Sequence, residues 1–459
     1  MLYNNSLKHL ICKTFFIISC ICTLHTSATA QELGVLMQWH SINLPPDIQK
    51  KHHAIASCSI ATQPMNAAYK QPKYGLIIAC PLTDGYNKLN GILLADIRKN
   101  QDIDSIRVLP PNHMFTGVNE QGIAYTSEVN DDWMAVGVSA FDKTGKQQWH
   151  YPLTKSPSNI IMNPLPGGKL VIAYHFYPPN QRAMRSAKIH VDIISSAGKL
   201  EEQLTVTVKP SSDQAYFDIN ELRLITLGQH EFMLSTPTYF NVNGKERMGT
   251  FLFEHVLLDQ KKIQAVEAIV PITFQDIHWN FTPQGELVLA GYNADIKADP
   301  DKSLPQLQLA AYDVRNGQIR WVTDIKMPQS DKGFTICNLL GLEKSVNGSV
   351  MVACFQQTFE NRKPILKPDH DKIMVLNFDA QGKEINRYII NHPKTNSEFL
   401  YDLIFQDRER RPVIMGQTSD NQLLLVFGSL KVAIQNIAKQ DGKIFFKILK
   451  TDIFQGELK

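Results

Sequence analysis

The sequence predicts an all-β fold, a seven-bladed β-propeller of four-stranded antiparallel blades. Short apolar strands bounded by Gly, Asn, Asp or Pro recur along nearly the whole chain, and hardly any segment between residues 54 and 450 has the period of a long amphipathic helix. Turns of the Asp-x-x-Gly or Asn-Gly kind recur with them. A repeat of 45 to 65 residues is typical of propellers and solenoids.

The second strand of each repeat begins just after a turn, and these starts supply the blade count. They are at Gly75, Gly122, Gly168, His230, Gly285, Gly348 and Arg411. Successive starts are therefore 47, 46, 62, 55, 63 and 63 residues apart, which leaves room in each repeat for four strands and three turns. The later turns, from residues 99–100 through Gly145, Gly198, 260–261, Gly317 and Gly382 to Gly442, also number seven.

The domain boundaries follow from this count. Residues 1–30 are predicted to be a signal peptide, residues 31–53 an N-terminal strand and linker, and residues 54–455 the propeller. A four-stranded sheet cannot bury both faces alone, so blades stack around an axis. The apolar segment 34–42 is predicted to pair with the last blade and so close the ring.

The first thirty residues have the three parts of an export signal. Lys8 and Lys13 precede a short apolar core, and Ala28-Thr29-Ala30 provides a small-residue cleavage site near Ala30. The prediction is a periplasmic or secreted protein with no integral membrane segment in the mature chain. A lipoprotein anchored at Cys20 is the less favoured alternative, because it leaves only a very short apolar core.

Charge excludes nucleic acid as the main partner. Without residues 1–30, which contain two Lys and no acid, the chain has 45 basic and 44 acidic side chains and a formal charge of +1. The expected partner is an envelope protein or an extracellular ligand, and the expected state is a monomer.

Four cysteines follow the signal, and an even number in an exported chain favours disulfides. Cys58 precedes the strand that begins at Gly75 and Cys80 ends it, so the two would face one another across the first two strands of the first blade; Cys337 and Cys354 have corresponding places in the sixth. We predict the bridges Cys58–Cys80 and Cys337–Cys354, with buried free thiols as the alternative.

Two repeats carry a fuller motif. Ala140, Asp142, Gly145 and Trp149 form one copy, and Ala311, Asp313, Gly317 and Trp321 form the other. These copies resemble the PQQ-like repeat of quinoprotein alcohol dehydrogenases and of bacterial envelope scaffolds. The resemblance implies that the Asp and Gly shape the outer hairpin and that the Trp packs between neighbouring blades. The adjacent Cys-Cys pair of the quinone enzymes does not occur in the mature chain, so no cofactor is expected.

Long connections between second and third strands are the candidate functional face. In the third to sixth blades they span residues 175–186, 236–248, 292–305 and 356–371, and all of them would emerge at one end of the propeller. They carry aromatic and arginine side chains, which commonly anchor interfaces. The candidate residues are Phe176, Tyr177, Arg182, Arg185, Tyr239, Phe240, Arg247, Tyr292, Phe359 and Arg362.

No catalytic or metal-binding motif accompanies these loops. Nucleophile-elbow, zinc-protease and phosphate-loop patterns do not occur, and no metal site is predicted. The sequence therefore favours a non-catalytic binding or scaffolding propeller of the cell envelope. The alternative is a hydrolase or lyase acting on carbohydrate or peptide, with carboxylates that converge at the channel only in three dimensions.

Overall fold

The computed structural model is all-β and describes a large part of the chain. The described residues are 31–32, 36–43, 46, 54–56, 59–60, 76–83, 89–97, 103–119, 121–132, 134–178, 183–242, 244–270, 275–281, 286–292, 307–325, 333–344, 350–360, 363–364, 372–391, 414–417, 423–427, 434–436 and 443–451. For some strand residues only the backbone is described. The proposed signal peptide lies outside this set.

The chain begins with two strands that join sheets formed much later. They are β1 (Gln31–Glu32) and β2 (Leu36–Asn43). Sheet 1 follows and has the spatial order β3-β5-β6-β7, with the short β4 also paired to β5. Its strands are β3 (Ala54–Ala56), β4 (Ser59–Ile60), β5 (Leu76–Thr83), β6 (Leu89–Ile97) and β7 (Ile103–Leu109).

Sheets 2 and 3 are four-stranded and antiparallel. Sheet 2 consists of β8 (His113–Val118), β9 (Ala124–Val129), β10 (Ala135–Phe141) and β11 (Gln147–Pro152). Sheet 3 consists of β12 (Asn159–Pro164), β13 (Leu170–His175), β15 (Ala187–Ile194) and β16 (Leu200–Val208). Between β13 and β15 lies the two-residue strand β14 (Ala183–Met184).

Sheets 4 and 5 repeat this arrangement. A connection containing β17 (Phe217–Asp218) and the 3-10 turn η1 (Ile219–Glu221) leads into sheet 4. Sheet 4 consists of β18 (Arg223–Gly228), β19 (Glu231–Val242), β20 (Lys245–Leu257) and β21 (Lys262–Ile269). Sheet 5 consists of β22 (Gln275–Phe281), β23 (Leu287–Tyr292), β24 (Leu307–Asp313) and β25 (Gln318–Ile325).

Sheets 6 and 7 incorporate the N-terminal strands. Sheet 6 consists of β26 (Gly333–Lys344), β27 (Val350–Glu360), β28 (Lys363–Pro364), β29 (Lys372–Phe378) and β30 (Glu384–Asn391), with β1 parallel to β30. Sheet 7 consists of β31 (Ile414–Gln417), β32 (Leu423–Phe427), β34 (Lys443–Thr451) and β2. β2 pairs antiparallel with β34, and the short β33 (Ile434–Asn436) pairs with β3 of sheet 1.

The second-strand assignments from sequence are right in sheets 1 to 6 and wrong in sheet 7. The sequence predicts that the segment beginning at Arg411 is a second strand, but β31 takes the first position in sheet 7 and β32 the second. Both segments are short apolar runs, so periodicity alone does not distinguish them. Hydrogen-bond pairing decides their order.

Strand burial depends on position in the sheet. The second strand β13 is buried along its whole length, because sheets 2 and 4 cover its two faces. At the end of the outer strand β16, Val206 and Val208 are buried while Thr205 and Thr207 are exposed. One face of β16 therefore packs against sheet 4.

Among the described residues, five apolar clusters lie between consecutive sheets. They join sheets 1 and 2, 2 and 3, 3 and 4, 4 and 5, and 5 and 6. First strands of neighbouring sheets also touch, as β8 with β12 and β12 with β18. The core is therefore a series of inter-sheet layers, in which each sheet buries apolar side chains on its neighbours.

The Asp-x-x-Gly turns close the outer hairpins. The Gly145 amide donates to the Asp142 carbonyl at 3.0 Å, and Gly145 has a φ of 83°, which favours glycine. The Asp142 carboxylate accepts bonds from the Thr144 amide and hydroxyl and from the Lys146 amide. These bonds, that of the Thr144 hydroxyl first, hold the pKa of Asp142 below its usual value.

The outer turns also pack against the preceding sheet. Trp149 of sheet 2 packs on Gly198 in the outer turn of sheet 3, where an added Cβ would lie 2.7 Å from the Trp149 Cβ. Trp321 of sheet 5 packs in the same way on Gly382 of sheet 6. The two tryptophans therefore contact the next sheet.

The cysteine pairings stay predictions. Cys58 lies outside the described residues, and Cys80 is opposite Leu93 in β6. Cys337 in β26 is opposite Gln356, and Cys354 in β27 is opposite Leu339. Cys337 and Cys354 are therefore diagonal neighbours, about 7–8 Å apart. A disulfide between them needs a local shift of the strands.

No helix in the described part of the chain is long and apolar enough to cross a membrane.

Candidate functional site

Backbone pairing joins two loops and the β19–β20 hairpin at one end of sheets 3 and 4. Ala183 and Met184, in the β13–β15 loop, pair with Asp218 and Phe217, in the connection between the two sheets. Tyr216 in that connection forms a β-bridge with Tyr239 near the β19–β20 hairpin, with N···O distances of 2.9 and 2.6 Å. We call this surface the loop face. Its loops are held by hydrogen bonds, which orient the side chains that they carry.

Two tyrosines and two glutamates form the centre of the loop face. The Tyr239 hydroxyl donates to Glu221 at 2.5 Å, and the Tyr216 hydroxyl donates to Glu246. The tyrosine rings are 6.1 Å apart. Asp218 caps η1 and accepts from the Asn220 amide at 2.9 Å. The Tyr–Glu cluster comprises Tyr216, Asp218, Glu221, Tyr239 and Glu246.

Burial and neighbouring negative charge keep the hydroxyls of Tyr216 and Tyr239 protonated. Burial raises the pKa of Tyr216 to about 12, and the hydrogen bond to Glu246 acts in the same direction. The pKa of Tyr239 is also raised, by burial first and then by Glu221. Burial raises the pKa of Glu221 as well, against the opposing effect of the Tyr239 bond. At neutral pH both hydroxyls therefore act as donors and not as bases.

An arginine and a tryptophan lie beside this cluster. The Arg223 guanidinium is 5.5 Å from the centroid of the Trp279 ring, a cation–π contact between sheets 4 and 5. Its Nη1 also donates to the Leu222 carbonyl at 3.2 Å. These contacts fix the position of a positive charge near Glu221.

A second group of side chains lies on sheet 3. Phe176 is 41% exposed, and its ring is 5.3 Å from His190 and 5.7 Å from Tyr174. The Lys155 ammonium is 6.0 Å from the Phe176 centroid. Tyr174 is buried and donates to Asp192 at 3.2 Å. We call Lys155, Tyr174, Phe176 and His190 the aromatic shelf.

The described residues place six of the ten predicted face residues on this surface. Phe176, Tyr177 and Arg185 belong to the β13–β15 loop, and Tyr239, Phe240 and Arg247 belong to the β19–β20 hairpin. They are thus brought to two adjacent sheets.

The other four predicted residues are not placed on the loop face. Tyr292 ends β23 and Phe359 lies near the end of β27, with only their backbones described. Arg182 and Arg362 lie outside the described residues. Their membership of the face stays a prediction.

Sequence reasoning missed Tyr216, Glu221 and Glu246. The first two lie in the connection between sheets, which had no motif, and Glu246 lies beside a predicted Arg. The available signal was the clustering of aromatic and acidic residues between positions 213 and 221, where Tyr216 and Phe217 lie between Asp213 and Asp218. That signal can be interpreted only with the Tyr216–Tyr239 bridge, which brings this segment to the β19–β20 hairpin.

The described residues contain no group of three or more His, Cys, Asp or Glu that could hold a metal ion. One set in sheet 2 has the composition of a catalytic triad. Ser139 lies 3.1 Å from His150, and His150 lies 3.5 Å from Glu128. Both contacts involve Nδ1 of His150, and Ser139 is fully buried, so this set does not form a relay to a nucleophile.

Comparison with known proteins leaves the family open. No protein-family model and no curated protein matches the chain. Solved structures similar to it include the polysaccharide lyase Uly1, at 7% identity and a TM-score of 0.45, covering 92% of this chain and 100% of that one. A DUF4221 protein from Bacteroides vulgatus has 9% identity and a TM-score of 0.39, covering 92% and 98%.

The WD40 domain of SCAP from fission yeast is a third similar structure. It has 9% identity and a TM-score of 0.37, covering 90% of this chain and 98% of that one. At these identities and scores the likenesses add nothing to the assignment of fold or function.

Proposed function

We propose that the chain is an exported, closed seven-bladed propeller that binds a polar ligand or partner at the loop face without catalysing a reaction. Seven sheets of at least four strands among the described residues support the blade count. Closure is supported by β2, which completes sheet 7, and by β33, which pairs with sheet 1. Export rests on the signal-like residues 1–30.

The observation that carries the binding function is the backbone ladder of the loop face. Two loops and the β19–β20 hairpin, from two adjacent sheets, are hydrogen-bonded together, and the side chains that they present are aromatic, acidic and basic. Tethered loops lose little conformational entropy when a ligand binds, which favours affinity. Aromatic and arginine side chains of this kind commonly anchor partners.

The protonation of the cluster favours binding over elimination chemistry. A tyrosine that acts as a general base must lose its proton, and the raised pKa values of Tyr216 and Tyr239 oppose that. Both carboxylates instead accept hydrogen bonds from the tyrosines. Such groups suit a ligand rich in hydroxyl or amine donors.

The proposal is tested with residues 31–459 immobilised and exposed to an envelope extract and to purified polysaccharides. The double variant Tyr216→Phe/Tyr239→Phe keeps the rings and removes both hydroxyls that orient the glutamates. Loss of a partner held by the native chain is the expected result. Lys199→Ala, in the exposed outer turn at the opposite end of sheet 3, is the matched control. Equal recovery by the native chain and the double variant would rule out this part of the loop face.

The second candidate is a hydrolase or lyase acting on carbohydrate or peptide. The observation in its favour is the Glu221 carboxyl. Burial raises its pKa, and the negative charges of Asp218 and Glu246 act in the same direction. Polysaccharides and peptides incubated with the protein would show new chain ends if the candidate is right, and Glu221→Gln would abolish them. If the polymers are still intact after incubation with the native protein, the hydrolase or lyase candidate is refuted.

A further inference from the structure

The segment from Tyr151 to Val191 has an unusual charge pattern. It contains five basic residues, Lys155, Lys169, Arg182, Arg185 and Lys188, and no Asp or Glu. Lys169 lies at the far end of sheet 3, where it pairs with Glu201 at 2.7 Å. Arg182 lies outside the described residues. The other three are exposed at the end that carries the loop face.

Strand pairing directs two basic side chains to the aromatic shelf. His190 is the cross-strand partner of Tyr174 and stacks on it, with ring centroids 5.6 Å apart. Lys188 is two residues earlier in β15, so it lies on the same face of the sheet. The Lys188 amide donates to the Tyr177 hydroxyl at 3.0 Å, which ties the loop to this strand.

The shelf has exposed apolar surface beside positive charge. Phe176 is the one exposed phenylalanine among those whose side chains the structure describes. No carboxylate in the described part of the chain forms an ion pair with Lys155, Arg185 or Lys188. The nearby Asp192 is buried and accepts bonds from Tyr151, Tyr174 and Gln203. Among the described residues, no carboxylate of the protein therefore competes with an anionic ligand for these basic side chains.

We infer that the aromatic shelf binds the carboxylate-bearing sugar residues of an acidic polysaccharide. A pyranose ring presents C–H groups that pack on the exposed Phe176 ring, and a uronate carboxylate is an acceptor for Lys155 and Lys188. The inference rests on the proposed binding function and names its ligand class.

The neighbouring Tyr–Glu cluster favours a saccharide over nucleic acid. The loop that begins at Phe176 pairs, at Ala183 and Met184, with the strand that contains Asp218. A ligand that follows this loop passes from basic to acidic side chains. Single-stranded DNA carries a charge at every phosphate, as a uronate polymer does at every carboxylate, but it has no hydroxyls along its backbone that could donate to Glu221 and Glu246. A uronate polymer has hydroxyls that donate to those carboxylates.

The test is isothermal titration of the mature chain with three probes: an oligogalacturonate, a neutral malto-oligosaccharide of equal length and a single-stranded DNA. The oligogalacturonate is expected to bind most tightly, and more weakly as salt is added. Lys155→Met keeps the apolar stem and is expected to weaken that binding about tenfold, the value of one charge-assisted contact. Lys199→Met, at the opposite end of the sheet, is expected to bind as the native chain does.

Each other outcome overturns the inference in a distinguishable way. If the neutral oligosaccharide binds as tightly as the oligogalacturonate, and Tyr239→Phe weakens that binding, the proposed binding function stands and the acidic ligand class is refuted. Tighter binding of DNA would also overturn the inference. Binding of none of the probes, together with equal recovery in the extract experiment, would remove both proposals. Phe176→Ala, with an unchanged thermal midpoint, must also weaken uronate binding, since a purely electrostatic site would tolerate it.

Discussion

Glu254 is a carboxyl buried in an apolar layer, and its ionisation should destabilise the protein. It lies in β20 on the face that carries Leu252 and Val256, directly opposite Leu234. Glu254 is 4% exposed, and no hydrogen bond to its carboxyl occurs among the described residues. Burial raises its pKa from 4.5 to about 7.

The sign of the effect follows from the raised pKa. The folded chain binds this proton more tightly than the unfolded chain does, so stability falls as pH rises from about 4.5 to about 7 and changes no further above that. A difference of about 2.5 pKa units corresponds to about 3 kcal/mol. Glu254→Gln resembles the protonated carboxyl and should remove this loss.

Urea unfolding at pH 5 and pH 8 measures the effect. Native and Glu254→Gln chains should be similarly stable at pH 5, and the variant should be more stable by about 3 kcal/mol at pH 8. Glu201→Gln breaks an exposed ion pair with Lys169 and should change stability by less than about 1 kcal/mol at either pH. A Glu254→Gln variant that gains nothing at pH 8 would refute the reasoning.

Three further predictions concern turns, buried charge and cysteines. Gly317→Ala should lower the free energy of unfolding by about 2 kcal/mol or more, because its φ is 70° and a Cβ would lie 2.8 Å from the Glu267 carbonyl oxygen; thermal unfolding measures it. Asp192→Asn should cost about 2–3 kcal/mol in urea unfolding, because three donors converge on this buried carboxylate. Mass spectrometry of the unreduced exported protein should show Cys337 joined to Cys354.

Each of these has a contrary outcome. An unchanged midpoint for Gly317→Ala would mean that the turn is not held against sheet 4. Asp192→Asn at native stability would show that the tyrosines find other acceptors. Free thiols at both Cys337 and Cys354 would support the alternative of buried, reduced cysteines.

Local sequence determined the strands and most of their order. The turn at Asp142 is specified by bonds within five residues, and glycine is needed at position 145 for its φ. Alternation of apolar residues, as in β16, is equally local. In sheet 7 this locality was insufficient, because β31 and β32 are both short apolar strands that only pairing can order.

The candidate site depended on tertiary structure for a different reason. The aromatic residues of the predicted connections could be read from the sequence, and Phe176 and Tyr239 were among them. The connection predicted at residues 236–248 is wrong, because β19 and β20 extend through most of it and Tyr239 lies in β19. Tyr216 and Glu221 could not be identified from the sequence, because their hydrogen-bond partners are 18 to 30 residues away. A hydrogen bond between distant residues leaves no periodic trace in either segment. Sequence thus determined repeated strands, turns and charge, whereas packing between sheets decided which side chains meet.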